Sequence, residues 1–124
     1  MKHALKVILP IVLILALLIG ACCFFLIARR DLTETIFTYW GNHFYNAGRY
    51  GRAVTFYKLA AHFAPQDATL AIWLANAYKM SGNYTKAEYT LVNAITQIPD
   101  SAELYIALSQ TYVEQEKLLD AETM

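Results

Sequence analysis

Few side chains in this 124-residue chain carry chemistry, and most of those are badly spaced for it. His3, His43 and His62 lie far apart with no cysteine nearby, so no metal-ligand spacing arises. Cys22 and Cys23 are the two cysteines, and both fall in an uncharged apolar stretch. That position excludes a disulfide framework or a zinc site in the rest of the chain. No serine sits in a nucleophile elbow, no glycine loop fits a phosphate, and the acids are dispersed. The expectation is a protein that is not an enzyme and holds no cofactor or metal. One polar set does have a spacing: Asn42, Asn76 and Gln110 recur every 34 residues, which lines three primary amides along one face. An amide both donates and accepts, so such a row can bind a peptide backbone without reading its side chains. The same row serves equally well as bridges between neighbouring helices or as solvated surface, and the spacing leaves that choice open.

The 34-residue period extends to the elements that must position these amides. Gly48, Tyr50, Ala53, Ala60 and Pro65 return as Gly82, Tyr84, Ala87, Ala94 and Pro99. A fixed period of this length means stacked helical hairpins, an architecture that binds rather than catalyses. With repeats at about 34–67, 68–101 and 102–124, the first helices should cover Thr33 to Asn46, Asp67 to Met80 and Ser101 to Gln115. Their partners should cover Arg49 to Phe63, Tyr84 to Gln97, and Lys117 onward. Gly48 and Gly82 stand where antiparallel helices reverse and positive φ is needed. Pro65 and Pro99 follow the second helices, where proline ends a ladder. Asp67, Asn83 and the pair Asp100 with Glu103 are the expected helix caps. Asn83-Tyr84-Thr85 also matches a glycosylation acceptor, which capping alone explains. Alanines spaced by seven let helices approach closely, with Trp40, Phe44, Tyr50, Tyr57, Leu74, Tyr78, Tyr84 and Leu91 as filling between them. Trp73 should be a ring packed between hairpins, with a partner anchor as the alternative.

Trp40-Gly41-x-x-Phe44, Gly48-x-Tyr50, Ala53, Tyr57, Ala60 and Pro65 resemble the tetratricopeptide repeat motif. Leu74-Ala75-x-x-Tyr78, Gly82-x-Tyr84, Ala87, Leu91, Ala94 and Pro99 resemble it again, and Leu108-Ser109-x-x-Tyr112 with Leu118 and Ala121 opens a third copy. Glu116 departs from the pattern, standing where the other copies have glycine. The resemblance implies a right-handed superhelix whose concave face, lined by first helices, takes a protein or peptide. Carried over, the groove positions are Thr35, Thr38, Asn42, Tyr45 and Asn46, then Thr69, Ile72, Asn76, Lys79 and Met80, then Glu103, Ile106, Gln110, Val113 and Glu114. Of these, Thr38, Asn42, Tyr45, Asn46, Ile72, Asn76, Lys79, Met80, Ile106 and Gln110 are the candidate partner-binding residues. Thr38, Tyr39, Ile72 and Trp73 stand where a receptor for C-terminal carboxylates would need basic residues.

Before the repeats, a short tail (1–6) leads into Val7 to Ala28, 22 residues without a charge. That length crosses the ~30 Å hydrocarbon layer as a helix, so residues 7–28 are expected to be a transmembrane signal anchor. Lys2 and Lys6 before it and Arg29 and Arg30 after it can reach headgroups. A cleaved signal is one competing reading, and a lipoprotein box at Ile19-Gly20-Ala21-Cys22, lipidating Cys22, is another. Phe24, Phe25, Leu26 and Ile27, apolar beyond the small-residue cluster, argue against both. The lysine-bearing tail places the repeats outside, at a bacterial inner membrane, and dominance of the two arginines would reverse that. The anchor either runs directly into the first repeat helix or breaks at a capping pair, Asp31 with Glu34.

Zero net charge conceals an asymmetry, because four of ten basic residues flank the anchor and all ten acids lie from Asp31 onward. The repeat region is therefore acidic, which argues against nucleic acid as its partner. The acidic end, Glu114, Glu116, Asp120 and Glu122, reads as a solvated face or a site for a basic partner. The third hairpin breaks off at Met124, so either the array is longer or Leu108, Tyr112 and Leu118 find cover on a second molecule. The fold expected is all-α, a transmembrane helix followed by an α-solenoid of about two and a half tetratricopeptide hairpins. The function expected is a tethered scaffold that binds another protein. The alternatives are a regulatory or targeting segment of a longer membrane protein or enzyme, and a self-associating structural protein.

Overall fold

Helix-forming residues dominate every segment between the glycine and proline punctuation, and the chain has no strand. A computed structural model describes all residues, 1–124, as five helices. These are α1 (Lys2–Asn46), α2 (Tyr50–Phe63), α3 (Ala68–Met80), α4 (Tyr84–Gln97) and α5 (Ala102–Thr123). The chain divides into two units, Met1–Leu32 and Thr33–Met124.

The first unit is helical from Lys2, and Pro10 lies inside the helix because α1 begins ahead of the apolar stretch. None of its apolar side chains is buried: Leu17 and Phe24, for example, are 73% and 75% exposed. By length and composition α1 is able to cross a membrane, a property shared by a signal sequence near an N-terminus. Helical structure continues through Asp31 to Asn46, so the capping pair Asp31 with Glu34 does not open a new helix.

In the second unit, residues 33–46 of α1 meet α2 through rings. Phe44 stacks on Phe56 with centroids 5.3 Å apart, and Phe37 on Phe63 at 5.9 Å. Trp40 touches Phe44 and Phe56 but stays 43% exposed, so it is less fully packed than its helical spacing implied. Ala53, Tyr57, Leu74 and Ala77 form one buried cluster, with Trp73 packed against it as a half-buried ring. Ala75, Ala87, Leu91, Ala94 and Leu104 form a second cluster between α3, α4 and α5. Leu70, Leu91 and Leu104 are almost fully buried, and each contributes about 2 kcal/mol, an upper figure because unfolded chains already bury some surface.

The two glycine turns are built alike. Gly48 and Gly82 have φ of 72° and 82°. At the second, Asn83 N–H donates to Tyr78 O at 2.8 Å and Gly82 N–H to Lys79 O at 2.9 Å, and at the first Arg49 and Gly48 pair with Phe44 and Tyr45 in the same pattern. These crossed bonds satisfy the terminal carbonyls and require a left-handed residue, which glycine adopts without strain. Asp67 caps α3 by accepting from Thr69 and Leu70 N–H, and Asn83 caps α4 by accepting from Lys86 N–H. Ser101, rather than Asp100, is the cap residue of α5, because that helix starts at Ala102 and leaves Asp100 one position too early.

The expected turn at Glu116 and a second helix from Lys117 do not form. α5 runs unbroken to Thr123. Gln115, Glu116, Lys117, Leu118 and Leu119 are good helix formers, and no glycine interrupts them. Tyr112, Leu118 and Leu119 are 45% to 57% exposed along this helix.

Candidate functional site

Tyr57 of α2 packs against the first-helix segment of α1. Its hydroxyl donates to Asn42 Oδ1 at 2.6 Å, and its ring is 2% exposed. Burial, with a smaller contribution from Tyr45, pushes the phenol up to about 12. The ring fits because Gly41 lies beneath it: a Cβ there would meet Tyr57 Cδ1 and Cε1 at 2.6 Å. Asn42 is therefore half-buried and committed through its carbonyl to α2. Tyr45 is likewise half-buried, edge-on to Tyr50. Thr38 Oγ1 is buried without a hydrogen-bond partner, while Asn46 is exposed at the end of α1.

On α3 the candidates separate by depth. Ile72 packs against the α3–α4–α5 cluster. Asn76 is half-buried and has no side-chain hydrogen bond within the chain, since Leu91 occupies the place that Tyr57 holds one repeat earlier. Met80 is 52% exposed. Lys79 Nζ reaches Glu114 of α5 at 3.1 Å, with the lysine side chain 11% and the glutamate 47% exposed. Ile106, 58% exposed, and Gln110 lie two turns and one turn earlier, respectively, on the face of α5 that carries Glu114. α3 and α5 thus bring Lys79 and Glu114 together, and these neutralise each other. The amide row divides, with Asn42 facing inward and Gln110 facing solvent.

One further bond ties α5 to α4, and another stays within α5. The Tyr112 hydroxyl donates to Glu88 Oε1 at 2.9 Å, and that bond is the main reason the phenol is raised above its ordinary value. Thr111, fully buried, bonds Ala107 O at 2.8 Å. His43 lies edge-on to Trp40 and Phe44, and His62 edge-on to Phe63.

A cavity lies elsewhere, between the second helices. It has a volume of ≈ 490 Å³, with α2 and α4 as walls and Ala71, Leu74 and Tyr78 of α3 as floor. Lys58 and His62 stand on the α2 wall, Lys86, Tyr89 and Asn93 on the α4 wall. Lys86 Nζ is 5.8 Å from the centre of the Tyr78 ring. Sequence reasoning missed these residues. Lys58, Ala61 and His62 share one helical face, as do Lys86, Tyr89, Thr90, Asn93 and Gln97, but the spacing within each helix does not say that the two faces meet.

No family model matches the chain. Protein O-mannosyl-transferase TMTC1 of Homo sapiens is 33% identical over 84 residues, a stretch that covers 65% of this chain and 10% of that protein. The chain thus spans about a tenth of the length of the curated relative it matches. The similarity is weak and partial, and it suggests tetratricopeptide-like content.

Proposed function

We propose that this chain is a membrane-tethered scaffold whose helical hairpins stack as a short α-solenoid and hold another protein along the first-helix face. The observation that carries the reading is the state of α3 and α5. They adjoin through the Lys79–Glu114 pair, while Asn76 and Gln110 keep their amides unused beside exposed Met80 and Ile106. Unpaired amides next to apolar side chains favour a peptide backbone carrying an apolar residue. The tether is residues 7–28 of α1, a single span in a cytoplasmic membrane of bacterial type. The lysines of its short tail direct the repeats to the outer side.

The test is a photo-crosslinking amino acid at Gln110 or Met80 in the native cell. A discrete protein adduct is expected, and Asn76→Ala should remove it without altering the melting temperature by more than a few degrees. Absence of an adduct, or one indifferent to Asn76→Ala, overturns the reading. A second reading rests on the name of the matched protein, a mannosyl-transferase. In that reading the chain is a targeting or regulatory segment of a membrane enzyme, and genomic sequence beyond the Met124 codon distinguishes the two.

A further inference from the structure

The cavity between α2 and α4 is cationic in a region that is otherwise acidic. From Asp31 onward the chain has six lysines and arginines against ten acids. Lys79 is taken by Glu114, and Arg52 lies over the Phe44 ring. Lys58 and Lys86 both line the cavity and are exposed with no acidic partner, Lys86 lying over the Tyr78 ring of the floor at 5.8 Å. The one carboxylate in the lining, Asp67, is turned to its own helix, accepting from Thr69 and Leu70 N–H at 2.8 and 3.2 Å. Beneath the lysines the floor is apolar and aromatic, and ≈ 490 Å³ is within the size range of ligand-binding clefts.

From this we infer that the α2–α4 groove is a second docking site, for an acidic peptide segment that places an apolar or aromatic side chain against Leu74 and Tyr78 and its carboxylates between Lys58 and Lys86. Charge complementarity selects the occupant. Positive charge set in an acidic surface attracts acidic segments and repels basic ones, and the floor requires an apolar group. Asn93, on the same wall as Lys86, adds an amide donor for the peptide backbone. The site differs from the first-helix groove, since α2 and α4 supply its walls and α3 contributes Ala71, Leu74 and Tyr78 rather than Ile72, Asn76 and Lys79.

The full chain in nanodiscs of neutral lipid is screened against displayed random twelve-residue peptides, and enriched peptides are measured by fluorescence anisotropy. The expected set is rich in Asp and Glu with at least one Leu, Phe or Tyr. Lys58→Glu with Lys86→Glu should weaken these peptides by roughly tenfold or more, and Lys58→Gln with Lys86→Gln by an intermediate factor. Both lysines are exposed, and an unchanged circular dichroism spectrum shows that the fold is kept. Asn76→Ala with Gln110→Ala should leave the affinity unchanged, which separates this site from the first-helix face. No enrichment, enrichment of neutral or basic peptides, or equal affinity for the charge-reversed protein would overturn the inference. So would peptides lost only on the Asn76 and Gln110 replacements.

Discussion

Replacing Gly41 by alanine puts a methyl group into space already filled by a ring. The added Cβ would lie 2.6 Å from two atoms of Tyr57, whose ring is buried and whose hydroxyl is bonded to Asn42, so the ring has no free direction of retreat. Overpacking of this kind costs about 1–3 kcal/mol, against a gain of about 1 kcal/mol from replacing glycine inside a helix. The net expectation is a loss of about 1 kcal/mol. The same chain contains the compensated pair one period later, where Ala75 and Leu91 are both buried in one cluster. Tyr57→Leu alone should cost about 2–3 kcal/mol, through lost ring volume and a lost hydrogen bond. In that background Gly41→Ala no longer meets the ring, and its helix-propensity gain of about 1 kcal/mol should emerge. The effect of alanine therefore changes sign, a coupling of about 2 kcal/mol, well above the ~0.5 kcal/mol scatter of independent sites. Urea unfolding of the full chain in mild detergent, followed by tryptophan fluorescence, reads the unaltered protein and all three variants, because Trp73 lies 6.1 Å from the Tyr57 ring. If alanine shifts stability equally in both backgrounds, the close approach of Gly41 to Tyr57 does not control packing and the reasoning fails.

Two further outcomes follow from the same contacts. The Tyr57 phenol is pushed up to about 12, above its unfolded value near 10, so the folded state keeps a proton that the unfolded state releases. Its contribution to stability is complete below pH about 10 and is lost as pH rises towards about 12. Tyr57→Phe should flatten that decline, and parallel urea-midpoint profiles for the two proteins would contradict it. At the glycine turn, Gly82→Ala should cost about 1–2 kcal/mol although nothing lies within 4 Å of the new Cβ, because φ of 82° strains any L side chain. Gly51→Ala, also in open space but inside α2, should be neutral or stabilising by a few tenths of a kcal/mol. Thermal unfolding of the pair separates backbone strain from crowding.

The second unit was legible where the information is local. Helix ends at Asn46, Phe63, Met80 and Gln97 follow from glycine turns and proline positions, and the caps at Asp67 and Asn83 from side chains that compete for backbone N–H groups. The same rules explain the third copy once Glu116 is read for itself: without a left-handed residue, α5 has no reason to stop. The period does not carry past the position where its glycine is missing. The amide row shows a different limit. Spacing aligned Asn42, Asn76 and Gln110, but whether an amide is free depends on what the neighbouring helix supplies, a tyrosine hydroxyl at Asn42 and a leucine at Asn76.

Periodicity and punctuation, acting within a few residues of each position, were enough to determine an apolar helix long enough for a membrane and paired helices after it. Only the tertiary structure decided which polar groups are already satisfied and where an open cavity lies, because Lys58 and Lys86 are brought to one groove by α2 and α4, helices that are not consecutive in the chain. Contacts of that range depend on how α3 packs between them. The side-chain pattern along any one helix does not carry that information.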